Sequence, residues 1–247
     1  MLSHEYTYLP LSYSRSDKYE LIDFKGYEYY LEPSDISGTE KLVYTNNKKD
    51  FTVKYYNEIV VTDSVRIPKG YLIPLEWENF ADKMNSLHNV KTDFFSAGTS
   101  VTVEKYKFFN VEFDSSSYEG RQRVNFDIEV INEEIILDQE MIYIPTNQKV
   151  MRVIVNLLEP QSADSYVRWG FMNQIFERKE YYEEYVMEKL AEEMLANDPN
   201  LKREFEIKLK NDEAFRNDSR ARLDFFYERS PYYDEQKNVY PILRIVE

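Results

Sequence analysis

An α+β fold is what this sequence predicts, and three observations predict it. Apolar residues recur with a period of two through much of the first 160 residues; the period turns helical after Pro160; and one helical stretch, from Trp77 to Leu87, interrupts the strand pattern. The parts expected are a β-rich module over 1–66, a mixed α/β unit over 67–160, and a helical segment over 161–247 packed on the preceding unit.

In the first part, Tyr19 to Phe24 and Phe51 to Val61 read as strands, parted by the turn-rich Glu32-Pro33-Ser34-Asp35-Ile36-Ser37-Gly38. Arg66-Ile67-Pro68-Lys69-Gly70 then supplies the punctuation expected of a boundary. Beyond it, Tyr71-Leu72-Ile73 is a strand core. Trp77, Phe80, Ala81, Met84 and Leu87 follow at i, i+3, i+4, i+7 and i+10, one face of a helix, and Val90 to Phe95 returns to extended chain. Val101 to Phe113 alternates, with Val101, Val103, Phe109, Val111 and Phe113 on one side. The clearest strand has Val124, Phe126, Ile128 and Val130 interleaved with Asn125, Asp127 and Glu129, and Met151, Val153, Val155 and Leu157 repeat that period.

Four helical segments are expected after Pro160. The first begins around Ser162 to Asp164 and carries Val167, Trp169, Phe171, Met172, Ile175 and Phe176; it is apolar on more than one face and therefore buried. The second runs from about Lys179 to Ala196, with Tyr182, Val186, Leu190 and Met194 on one stripe and Glu180, Glu184, Glu188 and Glu192 on another. Like charges at that spacing repel by a few tenths of a kcal/mol per pair, so the stripe is either a solvated face or a cation site. Asp198 followed by Pro199 is a strong start for the third, because Asp caps free N–H groups and Pro belongs at the first helical position. Asp218 caps a short fourth helix bearing Leu223, Phe226 and Tyr227, before Pro231.

Composition narrows the function. Lys plus Arg number 31 against 45 Asp plus Glu, a net charge of −14, which argues against nucleic acid because such a binder needs a basic footprint. The absence of Cys removes disulfides, thiol nucleophiles and thiolate metal sites while leaving the cellular compartment open. Neither a signal-peptide apolar run at the start nor a membrane span of about 20 apolar residues is present. Aromatic residues are abundant, with 22 Tyr and 15 Phe but 2 Trp, a mixture that suits packing and binding alike.

Catalytic constellations are hard to assemble. The histidines are His4 and His88, and neither has a second metal ligand in register. Gly98-Thr99-Ser100 lacks the second glycine of a nucleophile elbow, and phosphate-cradling and EF-hand loops are missing. Carboxylate pairs are inevitable among 45 acids and so carry no information. No catalytic residue, metal ligand or cofactor is therefore assigned. Two dense stretches remain: Trp169-Gly170-Phe171-Met172-Asn173, where Gly early in a helix permits close packing or contacts a ligand, and Arg229-Ser230-Pro231-Tyr232-Tyr233-Asp234, which pins the C-terminal tail or forms a recognition edge. Trp169, Arg229, Tyr232, Tyr233 and Asp234 are the candidate interface.

The series Gly70-Tyr71-Leu72-Ile73-Pro74, Leu158-Glu159-Pro160-Gln161-Ser162-Ala163-Asp164-Ser165, Trp169-Gly170-Phe171-Met172-Asn173, Phe176-Glu177-Arg178-Lys179-Glu180-Tyr181 and Arg229-Ser230-Pro231-Tyr232 resembles the region that follows the catalytic domain in bacterial M14-type zinc carboxypeptidases. The resemblance covers roughly residues 65 to 245. It implies a non-catalytic C-terminal region whose partner is an upstream peptidase domain, with zinc held only there, and an exported parent in the periplasm or outside the cell. None of the family's zinc ligands or substrate-contacting residues carries over onto this chain. The region would dock on the peptidase domain or help recognise a peptide or cell-wall substrate. Two other readings stay open: a free-standing carbohydrate- or protein-binding module with Tyr rings as its platform, and an enzyme using carboxylates alone.

Overall fold

The computed structural model describes residues 7–179 and 181–246, so His4 and Glu180 of the sequence analysis lie outside the described residues. The described residues form the mixed α+β fold that the periodicity predicts, with ten strands and six α-helices. The chain opens as an antiparallel ribbon of β1 (Tyr8–Arg15), β2 (Glu20–Pro33), β3 (Glu40–Tyr55) and β4 (Ile59–Arg66). β1 pairs with β4 and β2 with β3, and between the two ladders the Ser16 N–H donates to the Glu58 carbonyl at 3.0 Å. The expected turn lies between β2 and β3, where the Gly38 N–H donates to the Ser34 carbonyl and Gly38 takes φ +68°.

Period-two alternation gives this ribbon two unlike faces. The cross-strand pairs Ile22 with Val53 and Phe24 with Phe51 share one face. A bulge between Tyr27 and Tyr29 then shifts the parity and brings Tyr29 with Tyr44, and Leu31 with Leu42, onto that same face. Ring contacts of 6.1 Å from Tyr29 to both Phe51 and Tyr44 establish the continuity. Gly26 leaves room for the Phe51 ring, which a Cβ would meet at 3.0 Å. The opposite face carries charge pairs such as Lys25 with Asp50 and Glu32 with Lys41. At the ribbon's base Leu9, Leu11 and Val65 are buried in the main core.

The remaining strands form one antiparallel sheet. In chain order come β5 (Gly70–Pro74), α1 (Glu78–His88), β6 (Asp93–Phe95), β7 (Ser100–Phe113), β8 (Val124–Ile136), β9 (Met141–Pro145), α2 (Met151–Leu158), α3 (Glu184–Asn197), α4 (Pro199–Asn211), α5 (Glu213–Asn217), α6 (Ser219–Tyr227) and β10 (Leu243–Ile245). The strand order is β6-β9-β5-β10-β7-β8. Three-residue β10 is therefore the keystone: Leu243, Arg244 and Ile245 pair with Leu72, Tyr71 and Gly70 on one side, and Arg244 and Ile245 with Glu104 and Val103 on the other. One face of the sheet buries Tyr71, Ile73, Tyr106 and Phe108 against α1, α2 and the segment 166–176. The other face holds a smaller cluster that includes Leu72, Val103, Leu137 and Leu243. Helices α3 to α6 close around their own core of Met187, Leu201, Phe205, Phe215, Leu223 and Phe226.

Several expectations are corrected. Residues 151–158 are helix α2, burying Ile154, Val155 and Leu158. A run of eight mostly apolar residues satisfies both periods, and burial decides. Residues 162–176 form turns and one 3-10 turn at Asn173–Ile175 rather than an α-helix. Gly170 sits there at φ +74°, where a Cβ would collide with the Gln122 carbonyl, so close approach and a left-handed backbone both require glycine. In β7 Val103 is buried as expected, on one face, but Tyr106 and Phe108 fill the core on the other, while Phe109 and Phe113 are exposed; Asn110 at φ +50° bulges the strand and shifts its pairing between Phe109 and Glu112. Helix α3 starts at Glu184, and its buried positions are Met187 and Ala191, with Val186 exposed. Leu87 of α1 is exposed as well. Asp198 does cap α4, accepting from the N–H groups of Asn200 and Leu201, and Asp218 caps α6 through Ala221; α5, capped by Asp212, was not foreseen.

Candidate functional site

The C-terminal tail builds a groove as it crosses the sheet. Beyond α6 the chain turns at Ser230 and Pro231, then runs beside β7, with the Phe108 N–H donating to the Asn238 carbonyl at 2.7 Å and the Tyr240 N–H to the Tyr106 carbonyl at 2.8 Å. Between this tail, β7 and β8 lies a concavity of about 800 Å³, within the range of ligand-binding clefts. Ile135, Leu137, Met141 and Leu243 supply apolar lining, and Tyr233 contributes a ring. The charged lining residues are Lys105 and Lys107 against Glu133, Asp138, Glu228 and Glu235, a balance of 2 − 4 = −2. Lys105 is held by Glu133 at 2.6 Å, which leaves the acidic excess on Asp138, Glu228 and Glu235. An apolar trough with an acidic rim suits a polypeptide segment or other ligand with an apolar body and a basic group.

A buried polar cluster holds the groove's tail in register. Glu159, fully buried at the end of α2, accepts from the Tyr71 hydroxyl at 2.5 Å and from the Tyr106 hydroxyl at 2.7 Å. Arg244 of β10 brings its Nε to 2.9 Å from the Glu159 carboxylate. That N–H does not point along the contact, so the attraction there is coulombic rather than a hydrogen bond. The other guanidinium nitrogens reach the Glu104 carboxylate and the Arg66 carbonyl. Burial pushes the Glu159 carboxyl above its ordinary range, opposed first by Arg244 and then by the two phenols. Burial, followed by the Glu159 charge, likewise raises Tyr71 and Tyr106, and Tyr240 donates to the Leu158 carbonyl at 2.8 Å.

Of the candidate interface residues, Tyr233 and Asp234 line one small concavity together with Arg178 and Asp224, while Trp169 and Arg229 have other partners. Trp169 is half-buried, 5.9 Å from the Tyr118 ring, with the Arg123 guanidinium 5.3 Å from its own ring. Arg229 lies over the Phe225 ring at 3.8 Å and donates to the Phe225 carbonyl, facing Glu204 at 3.9 Å. Tyr232 is exposed, Tyr233 packs on Tyr227 at 5.7 Å, and Asp234 accepts from the Gln236 N–H. Of these five, Tyr233 lines the groove. The tail is pinned by Arg244 and Glu159, which sequence reasoning missed. Their signal was there: a lone acid closing Leu157-Leu158-Glu159 and a lone cation inside Ile242-Leu243-Arg244-Ile245 are charges set in apolar runs. His88 is exposed at the end of α1, and among the described residues no group of three or more His, Cys, Asp or Glu could hold a metal ion. Among the same residues no helix is long and apolar enough to cross a membrane.

No protein-family model matches the chain, and no solved structure matches it. It is similar to Carboxypeptidase 2 of Trichophyton rubrum, with 28% identity over 123 residues, 50% of this chain and 22% of that protein. Carboxypeptidase 2 of Trichophyton tonsurans and of Trichophyton equinum are 28% identical over 121 residues, 49% of this chain and 22% of each relative. These relatives are fungal rather than bacterial, and the chain matches about a fifth of their length. Half of this chain is thus similar to a part of known carboxypeptidases.

Proposed function

We propose that this chain is an accessory, non-catalytic C-terminal region of an M14-like zinc carboxypeptidase, docking on the peptidase domain or helping to recognise its substrate. The observation that carries this reading is the similarity to carboxypeptidases over half of the chain and only 22% of theirs. In this reading zinc belongs to the peptidase domain, the substrate is a peptide or cell-wall material, and the parent protein works in the periplasm or outside the cell. The acidic groove beside the tail would receive a basic or amphipathic stretch of substrate, guiding it toward the catalytic cleft.

Two assays test it. The 247-residue chain alone is expected to bind no stoichiometric zinc and to show no chelator-sensitive carboxypeptidase turnover. Removing residues 1 to 247 from the parent is expected to lower kcat/KM on its peptide substrates, and unchanged kinetics would end the accessory reading. A free-standing protein- or carbohydrate-binding module is the second reading, favoured by the line of rings on one ribbon face formed by Phe24, Phe51, Tyr29 and Tyr44. Binding of a soluble glycan or protein by the isolated chain, abolished in Tyr44→Ala, would favour it.

A further inference from the structure

The six-stranded sheet has two unlike edges. β6 closes one side with three residues, whereas β8 closes the other with 13, Val124 to Ile136, which include no Pro, Gly or Lys to blunt the edge. Every second residue of β8 turns its backbone groups away from β7. The Phe108 N–H and the Tyr106 carbonyl of β7 face the tail, so the odd-numbered residues of β7 face β8, and Lys105 pairs there with Ile131. The even-numbered residues of β8 therefore point outward, as the Val124 N–H does in reaching the Arg168 carbonyl at 3.2 Å. Among the described residues, the N–H and C=O groups of Ile128, Val130, Asn132 and Glu134 have no hydrogen-bond partner, and Glu129 to Glu134 are all exposed. We infer that this edge takes up an extended basic peptide as a seventh strand, antiparallel to β8; the inference holds whether or not the chain serves a peptidase.

Backbone chemistry and charge, both on the edge itself, select that occupant. Free N–H and C=O groups repeating at every second residue are the complement of an extended polypeptide. Acids flank the seam on both sides: Asp127 and Glu129 share the face of Glu133, which lines the groove, and Glu134 stands on the other face. With Asp138, Glu228 and Glu235 of the groove against Lys105 and Lys107, the groove side sums to 2 − 6 = −4. β8 alone is 0 − 4 = −4, so a second copy pairing β8 with β8 would set four acids against four, whereas a basic strand is attracted. Register adds a pattern. Glu129, Ile131 and Glu133 alternate on one face, at positions whose backbone groups turn toward β7, where the side chains of an added antiparallel strand come closest. The matching peptide therefore sets an apolar residue opposite Ile131 and a Lys or Arg two positions to each side. Lys105 already holds Glu133 at 2.6 Å, while Glu129 forms no ion pair among the described residues, so Glu129 is the main anchor.

The test is fluorescence anisotropy of a labelled peptide of about eight residues, with lysines two positions either side of an isoleucine, titrated with the 247-residue chain. Saturable binding is expected, at least roughly tenfold weaker when both lysines are replaced by glutamates. N-methylation of the two residues adjoining the isoleucine, those opposite Val130 and Asn132, keeps the charge and removes the donors, and should weaken binding by a similar factor. In the protein, Val130→Pro deletes an outward N–H that makes no ladder bond, so it should lose the peptide while thermal unfolding stays cooperative. Glu129→Gln should lower the affinity and flatten its salt dependence. Equal binding of the plain and N-methylated peptides would overturn edge pairing even if Val130→Pro failed to fold, and so would a lack of saturation at about 1 mM. Self-association of the chain that Val130→Pro abolishes would give the edge to a second copy. A peptide bound by the 247-residue chain but not by a longer native polypeptide containing it would give the edge to another part of that polypeptide, and either result overturns the inference.

Discussion

Replacing Arg244 by Met tests how the tail strand is held. Arg244 is 5% exposed and Glu159 is fully buried, so the substitution strands a carboxylate that keeps only the Tyr71 and Tyr106 hydroxyls as donors. Removing one partner of a buried pair costs about 3–5 kcal/mol, a large part of the 5–15 kcal/mol total of an ordinary domain. The loss is pH-dependent, and its sign follows from proton counting. Burial already raises Glu159, and without Arg244 its folded-state pKa rises further while the unfolded value stays near the usual ~4.3. Between those values the folded state holds more protons than the unfolded state, so stability falls as pH rises. The gap between Arg244→Met and the parent should therefore be smallest near pH ~4 and widest at neutrality. Urea unfolding at acidic and neutral pH reads it as a drop in midpoint at constant slope. Glu159→Gln combined with Arg244→Met should recover part of the loss, because the fully buried charge is then gone and only the part-buried Glu104 is left without Arg244. A cost under about 1 kcal/mol, or one independent of pH, would refute this account of the cluster.

Deleting residues 238–247 removes β10, the strand that joins β5 to β7, and should abolish cooperative thermal unfolding and near-UV circular dichroism. Asp198→Ala should cost about 1 kcal/mol in chemical denaturation by leaving the Asn200 and Leu201 N–H groups uncapped. Gly170→Ala should cost more than about 1 kcal/mol, since φ is positive and the Gln122 carbonyl blocks a Cβ. In alkaline titration Tyr71, Tyr106, Tyr166 and Tyr240 should resist ionisation, all raised chiefly by burial, while Tyr182, pushed up to about 12 by burial and then Asp224, ionises late. The unfolded chain releases these protons from about pH 10, so stability should fall above that pH, with phenolate absorbance rising together with the loss of structure.

How legible each element was depends on how local its cause is. β7, β8, α1 and the Asp198-Pro199 start of α4 could be read because alternation, a helical stripe or a cap acts within a few residues. Helix α2 could not, since Met151 to Leu158 fits either period until a sheet covers one side of it. β10 is three residues long, too short for any periodicity, and is a strand because two edges were waiting for its backbone groups. Of the candidate interface residues, Tyr233 lines the groove, whereas Trp169 and Arg229 make contacts elsewhere.

By itself the sequence determined that this protein is acidic, free of cysteine, β-rich first and helical later, with helix starts at Asp198 and Asp218. Only the tertiary structure decided that Glu159 and Arg244 meet, that the tail completes the sheet, and that, among the described residues, the aromatic face of the β2/β3 ribbon is exposed. The reason is physical: composition, periodicity and capping are properties of neighbours along the chain, while pairing a buried charge or closing a sheet needs partners that only the folded chain brings together.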